Sequence, residues 1–402
     1  MEASSVPSGS ARSVAVVLLP IMAAVLTGFL VIGIALPVLP LHVNRDLSFG
    51  TFVVGLVAGA QFVAAVATRI WSGSHADALG GKRTVMLGLI GAAASGLLYL
   101  LAAVTEGFPT LSVAILLAGR TLLGGAESFI ITGGVSWGLA TVEHHHAGKV
   151  IAWVGTAMFA ALALGGPVGT TLFASHGFAA IGLGTTLLPL VVFLGLLRVP
   201  APHVRPRQAG SSLRRVLGAV WLPGIGAALS SVGYGAILAF GSLLYSDHGW
   251  QPVWLAPTAF SVALIAARLI CGHLPDRFGG PRIALLFVVV QATGLLLMGL
   301  ARGDMFATIG AAMAGFGYSL VYPGFGVEAV RNSSPETRGL IMGIYTVFLD
   351  IAMAVGSPTL GWIAEIKGLN AVFIAGAGVT LCAAAVGLPL LRSRRLISQV
   401  ER

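Results

Sequence analysis

Charged residues are scarce in this chain of 402 residues. Lys, Arg, Asp and Glu make up 9% of it, whereas about 25% is usual in a soluble globular domain. Hydrophobic residues make up 56%, and the mean hydropathy is +0.94. So few charges cannot cover the surface of a water-soluble protein of this length. The sequence therefore predicts a membrane protein.

Cysteine is also scarce, and two common catalytic motifs are missing. Only Cys271 and Cys382 are present, both inside apolar runs, which excludes a disulfide framework and matches no metal-ligand spacing. The sequence contains no His-Glu-x-x-His motif and no phosphate-binding Gly-x-x-x-x-Gly-Lys-Ser/Thr loop. We therefore expect no enzyme, no metal site, no cofactor and no hydrolysis of ATP.

Long apolar runs are what the sequence has in abundance. A helix that crosses the hydrocarbon core needs about 20 mostly apolar residues. Twelve runs of this kind are 14–41, 50–74, 83–105, 109–140, 147–174, 178–198, 215–245, 252–273, 282–301, 304–330, 337–365 and 369–391. An even number of crossings places both termini on the same side of the membrane.

The 23 Lys and Arg residues are distributed unequally between the two sides. With the N-terminus inside, only Arg45, Arg302 and Lys367 fall outside, and Arg120 lies within a span. Basic loops stay cytoplasmic, so we expect a multi-pass protein of the cytoplasmic (inner) membrane with both termini in the cytoplasm. The net charge of +9 then reflects the orientation of the protein in the membrane and does not indicate nucleic-acid binding. The expected segments are an N-terminal tail 1–13, a six-helix bundle 14–198, a cytoplasmic linker 199–214, a second six-helix bundle 215–391 and a C-terminal tail 392–402.

A polar segment between spans two and three recurs between spans eight and nine. Residues 73–83, Gly-Ser-His-Ala-Asp-Ala-Leu-Gly-Gly-Lys-Arg, correspond to residues 272–282 at an offset of 199. The identical positions are Arg69/Arg268, Gly73/Gly272, Asp77/Asp276, Gly80/Gly279, Gly81/Gly280 and Arg83/Arg282. A second match, at an offset of 191, pairs residues 165–167 with 356–358. The two halves are therefore predicted to be parallel repeats, with a site at their interface.

The repeated segment resembles the signature loop of the major facilitator superfamily, Gly-x-x-x-Asp-Arg/Lys-x-Gly-x-Arg/Lys-Arg/Lys. The matching residues are Gly73, Asp77, Gly80, Lys82 and Arg83. Ala78 departs from the pattern, whereas the second copy keeps that base as Arg277 but has Pro281 in place of a later one. The resemblance covers nearly the whole chain. It implies an all-α membrane protein with twelve transmembrane helices in two pseudo-symmetric six-helix bundles, and transport by alternating access.

The resemblance also implies gating residues near these loops. The candidates are Asp77, Gly73, Gly80, Lys82, Arg83, Asp276, Arg277, Arg282 and Glu328. Two further segments, Leu-Pro37-Val-Leu-Pro40 and Gly155 to Gly169, are similar to motifs of proton-driven drug and metabolite exporters, the arabinose-efflux type. The alternative is that prolines and small residues there serve only close helix packing.

Ionisable residues inside the spans are candidates for function because each is costly in a bilayer. Arg120 and Glu127 lie on one stripe of span four, seven residues apart. We predict that Glu127 titrates and couples transport to protons; the alternative is a structural ion pair. Asp350 is either a second proton site or a packing partner. Glu328, beside Arg331, is expected to form a gate or interfacial ion pair.

The family resemblance implies that spans one, four, seven and ten line a central cavity. The predicted substrate contacts are Arg120, Glu127, Thr27, Phe29, Tyr234, Tyr318, Tyr322, Gln61 and Gln291. We predict a monomeric secondary transporter that exports a small organic solute in exchange for protons. The alternatives are a proton-coupled importer of a nutrient such as a sugar or organic acid, and a membrane receptor that does not transport.

Overall fold

The computed structural model describes residues 14–142, 147–201, 213–331 and 338–400, which are helical almost throughout. In chain order the helices are α1 Val14–Ala35, α2 Val38–Leu41, α3 Thr51–Leu79, α4 Gly81–Val104, α5 Pro109–Thr141, α6 Ala147–Leu197, α7 Leu213–Asp247, α8 Leu255–Cys271, α9 Leu274–Phe278, α10 Gly280–Gly299, α11 Asp304–Val330, α12 Arg338–Lys367 and α13 Leu369–Val400. A π-helix, His42–Asp46, continues α2. The expected tail 1–13 and most of the linker lie outside the described residues.

Twelve membrane crossings follow from these helices. Within the described ranges, ten helices are at least 18 residues long and apolar enough to span a bilayer. One of them, Trp153–Leu197, makes two crossings, because Gly177 interrupts α6 with a φ of 72°. The shorter apolar helix α8 makes the remaining one. The predicted all-α fold of two six-helix bundles, α1–α6 and α7–α13, is therefore confirmed.

The repeat is visible in the backbone at the offsets seen in the sequence. Gly80 and Gly279 both have positive φ, 89° and 91°, which favours glycine. A Cβ on Gly124 would overlap the Gln61 carbonyl group. At the equivalent positions of the second half, a Cβ on Gly315 would overlap the carbonyl group of Phe260. Small residues thus let the same helix pair approach closely in each half.

The signature segment is more helical than the sequence predicted. Helix α3 continues through Leu79, so that Gly80 alone separates it from α4, and Asp77 lies on a helix instead of in a loop. The second copy differs, because α8 ends at Cys271 and the short α9 follows. Pro275 has no N–H group with which to continue the hydrogen-bonding pattern of α8.

The close approach of α3 and α5 can be tested with two neighbouring glycines. In Gly124→Ala the new methyl group would overlap the backbone at Gln61, whereas in Gly125→Ala it would lie 3.5 Å from Thr68 Cγ2, an ordinary contact. We expect Gly124→Ala to lower the apparent melting temperature in detergent, equivalent to about 1–3 kcal/mol. Gly125→Ala is the matched control, since both changes affect helix propensity alike, and equal melting temperatures would contradict the packing.

Candidate functional site

A cavity lies between the two halves. The space between its lining atoms, its open mouth included, is about 620 Å³. Most of the wall is apolar and comes from α1–α3, α6, α7 and α12, with Phe29 among its residues. The polar lining residues are Gln61, Arg120, Glu127, Tyr234 and Ser357. Five of the predicted substrate contacts, Phe29, Gln61, Arg120, Glu127 and Tyr234, therefore meet at one place.

Glu127 is half-buried and faces this cavity from α5. Because Gly124 lets α3 approach, the Gln61 side chain reaches it, and Gln61 Nε2 donates a hydrogen bond to Glu127 Oε2 at 2.5 Å. Gln61 Oε1 is buried and has no partner among the described residues. The equivalent positions of the second half carry Phe260 and Tyr318, whose ring centroids are 6.1 Å apart. The carboxylate site thus belongs to the first half alone.

Arg120 is only 3% exposed. Its Nε donates to the Val57 carbonyl oxygen at 3.3 Å, which holds the guanidinium group against α3. Its Nη1 has no hydrogen-bond partner among the described residues. Arg120 and Glu127 are not among the ion pairs found within the described part of the chain. The seven-residue spacing, about 10 Å along the helix, accounts for this.

An ion pair connects the two halves beside the cavity. Arg69 on α3 donates to Asp350 on α12, and the two side chains are 12% and 5% exposed. Asp350 thus has an ion-pair partner in this conformation, and its proposed role as a second proton site stays a prediction. Arg69 is not among the site residues predicted from the sequence. The available signal was its identity with Arg268 at the start of the repeated segment.

Arg268 occupies the corresponding position in the second half but contacts a different partner. Its guanidinium carbon lies 5.0 Å from the centroid of the Phe159 ring. Phe159 is the residue equivalent to Asp350 at the offset of 191. Arg268 Nη2 also lies 3.5 Å from the Ser319 carbonyl oxygen. Within the described ranges no carboxylate pairs with Arg268.

The remaining predicted contacts lie behind the cavity wall. Tyr318 stacks on Tyr234, with centroids 4.9 Å apart and rings within 8° of parallel. Tyr322 hydrogen-bonds to Thr346 at 2.7 Å. Gln291 is fully buried and donates to the Ser230 carbonyl oxygen, so that it ties α10 to α7. Thr27 is buried in α1. Tyr318, Tyr322, Gln291 and Thr27 do not line this cavity.

The two halves touch at the end of the bundle that we call the distal side, which carries residues 45–51 and 246–254. There Arg45 Nη2 donates to the Ser246 carbonyl oxygen at 2.6 Å, and Thr51 Oγ1 donates to that of Gly361 at 2.8 Å. The opposite end, the linker side, carries Gly80 and Ala201. Near this end, a Cβ on Gly73 would meet no atom within 4 Å. The halves are thus hydrogen-bonded to each other distally, whereas there is free space beside Gly73.

The other predicted gating residues lie at the linker side. Lys82 donates to the carbonyl oxygen of Val199, where the first half ends. Glu328 forms an ion pair with Arg331 at 2.9 Å. Four of the predicted gating residues have exposed side chains, namely Asp77, Arg83, Arg277 and Arg282. The side chain of Asp276 lies outside the described residues.

The ion pair between the halves can be tested by a double-mutant cycle. Arg69→Gln and Asp350→Asn each remove one partner of a buried pair, and we expect either to destabilise the protein by about 3–5 kcal/mol. The double variant should lose less than the sum of the two. Arg268→Gln combined with Asp350→Asn is the control and should be additive, because Arg268 contacts Phe159. Apparent melting temperatures that are additive for both combinations would rule out the pair.

The chain resembles known proteins along its length. The sequence profile of the Major Facilitator Superfamily matches residues 21–327 and, in a second match, residues 224–398. An uncharacterized MFS-type transporter of Salmonella typhimurium is 40% identical over 388 residues, which cover 96% of this chain and 99% of that relative. The uncharacterized MFS-type transporter YhhS of Escherichia coli K12 is 38% identical over 357 residues, covering 88% of this chain and 87% of that relative.

Solved structures show the same fold at low sequence identity. A bacterial homolog of the human lysosomal transporter Spinster, crystallised in an inward-facing and unoccupied conformation, matches with a TM-score of 0.76 at 15% identity, covering 94% of this chain and 97% of that one. The nucleoside transporter NupG matches with a TM-score of 0.69 at 17% identity, covering 93% and 99%. The two six-helix bundles are related by an internal repeat and surround a central cavity, in agreement with the sequence matches. The chain therefore belongs to the Major Facilitator Superfamily of membrane transporters.

Proposed function

We propose that this protein exports a small organic solute across the cytoplasmic membrane in exchange for protons. The observation that carries the proposal is Glu127, a carboxylate that faces the cavity between the halves and is hydrogen-bonded to Gln61. A charged residue at the centre of a span costs roughly 2.5–3.5 kcal/mol on insertion scales. Glu127 is placed in the membrane in spite of this cost, and it faces a cavity instead of a basic side chain on a neighbouring helix. This placement supports a role in binding.

Competition at one carboxylate accounts for the exchange. Glu127 can hold either a proton or a donor group of the solute, so that the arrival of one favours the release of the other. Protons arriving from outside would displace the solute there, and the solute would displace protons on the cytoplasmic side. Gln61 supports both the proton-bound and the solute-bound state of Glu127, because its amide keeps the carboxyl group directed towards the cavity.

The observed conformation fits one stage of such a cycle. If the linker side faces the cytoplasm, the bundle is inward-facing: the distal contacts of Arg45 and Thr51 are formed, while the surface around Gly73 is open. To open distally the two halves must separate at these contacts. Asp77 and Gly73 would then approach the second half and close the cytoplasmic side.

Import of an organic anion together with a proton is a second candidate. It is favoured by Arg120, whose Nη1 has no partner within the described ranges although the side chain is buried. Protonation of Glu127 would leave the charge of Arg120 uncompensated in the cavity and attract an anion. An imposed pH gradient separates the two candidates, since exchange moves the solute against the proton flow and co-transport moves it in the same direction.

Glu127→Gln tests the coupling site. The variant keeps the shape and the hydrogen bond to Gln61 but cannot release a proton. For solutes that raise the apparent melting temperature of the purified protein, we expect pH-gradient-driven flux in liposomes to fall to background, and the solute affinity that remains to be independent of pH. Asp247→Asn, which removes an exposed carboxylate far along the chain, is the control. Full proton-driven flux in Glu127→Gln would exclude the proposed role.

Asp77→Ala tests the gate. Asp77 is exposed in the open state and does not line the cavity, so its removal should slow transport several-fold and leave the solute affinity nearly unchanged. Ser74→Ala, an exposed change one turn earlier on α3, is the control. The comparison requires transport rates in liposomes together with equilibrium binding in detergent. A loss of affinity as large as the loss of rate would contradict a gating role.

A further inference from the structure

The cavity contains hydrogen-bonding groups that the described residues leave unused. Arg120 Nη1 is a donor and Gln61 Oε1 an acceptor; both are buried and neither has a partner in the described ranges. Buried polar groups without partners are rare in folded proteins, because each costs the loss of its hydrogen bonds to water. Both residues line the same cavity. These atoms therefore mark where a bound solute would supply the missing partners.

The two charged groups are held apart by separate anchors on α3. The Val57 carbonyl oxygen holds the Arg120 guanidinium group, and the Gln61 amide holds the Glu127 carboxyl group. Val57 and Gln61 are four residues apart on one helix, which is about 6 Å along its axis. The cavity therefore presents a positive and a negative group whose anchors lie about one helical turn apart on α3, and the two groups form no direct ion pair within the described residues.

The rest of the wall is mainly apolar, and its polar side chains, Tyr234 and Ser357, carry no charge. Phe29, Phe62, Leu162 and Met353 come from four different helices and leave no further charged group in the lining. Tyr234 adds an aromatic ring from the second half, held by its stacking on Tyr318. A solute that fills this cavity would place an apolar body against these side chains and its charged groups towards α3 and α5.

From this geometry we infer that the solute is a zwitterion with an apolar body. Its ammonium group would bind at Glu127 and Gln61 Oε1, and its carboxylate or other anionic group would bind Arg120. This inference rests on the proposed function, because the ammonium group would be the competitor of the proton at Glu127. It also explains why a single cavity holds one buried group of each sign, since each charge of the solute meets its opposite.

The test is a matched series of four probes. 4-(Aminomethyl)benzoate carries an ammonium and a carboxylate group at opposite ends of one benzene ring. Its methyl ester is a cation of similar shape, 4-methylbenzoate is the corresponding anion, and phenylalanine is a zwitterion with adjacent charges. We expect the first probe to bind about tenfold or more tightly than each of the others, measured as stabilisation of the purified full-length protein at equilibrium.

Three variants of two residues assign each charge of the probe to its partner. In Arg120→Gln the zwitterion should bind no better than its methyl ester, and in Arg120→Lys part of the preference should return. In Glu127→Gln the zwitterion should bind no better than 4-methylbenzoate. The comparison within the wild-type protein stands by itself if a variant does not fold.

A zwitterion that stabilises the wild-type protein no more than the singly charged probes, including the case in which none stabilises it, would overturn the inference. The measurement uses no pH gradient, so a failure of proton coupling leaves its result unchanged. Conversely, proton-driven flux of a singly charged solute would retain the proposed function while excluding the zwitterion.

Discussion

The contact on which the site depends is the close approach of α3 and α5. Lipid tails are as apolar as the helix surfaces, so the hydrophobic effect does not drive helices together in a membrane. Packing and hydrogen bonding must therefore hold them together. Gly124 has no side chain, and the backbone of Gln61 occupies the space that a Cβ would need. This approach brings the Gln61 amide to Glu127 and the Val57 carbonyl to Arg120. One position without a side chain therefore shapes the polar end of the cavity.

The second constraint is that charges inside a bilayer need partners. Arg69 and Asp350 satisfy one another although they come from different halves. The pair adds a strong polar contact to a seam that also contains close backbone approaches such as that of Gly55 to Ser357. Alternating access requires the halves to move relative to one another. Arg69 and Asp350 must therefore stay together through that movement or exchange partners during it.

The sequence predicted the spans, the repeat and four of the five polar residues of the cavity for identifiable reasons. Apolar run length defines a crossing, and identical residues at a constant offset reveal duplicated halves. Glu127 and Arg120 were recognised because charges are conspicuous inside a span. Arg69 was overlooked because its partner lies 281 positions away on another helix, and no periodicity along one helix predicts such a contact. The placement of Gln291 and Thr27 away from the cavity likewise depends on helix rotation, which a nearly uniform apolar sequence does not specify.

At two equivalent positions of the repeat, one half has an aspartate and the other has a phenylalanine, and this difference has a wider consequence. Asp350 and Phe159 occupy corresponding places, facing the corresponding arginines Arg69 and Arg268. A cation over an aromatic face is held by a weaker and less directional attraction than one in a buried ion pair. At this level the seam between α6 and α8 is therefore held more weakly than the seam between α3 and α12. The duplication has kept the two arginines but not their partners, so the two equivalent seams between the halves are not held alike.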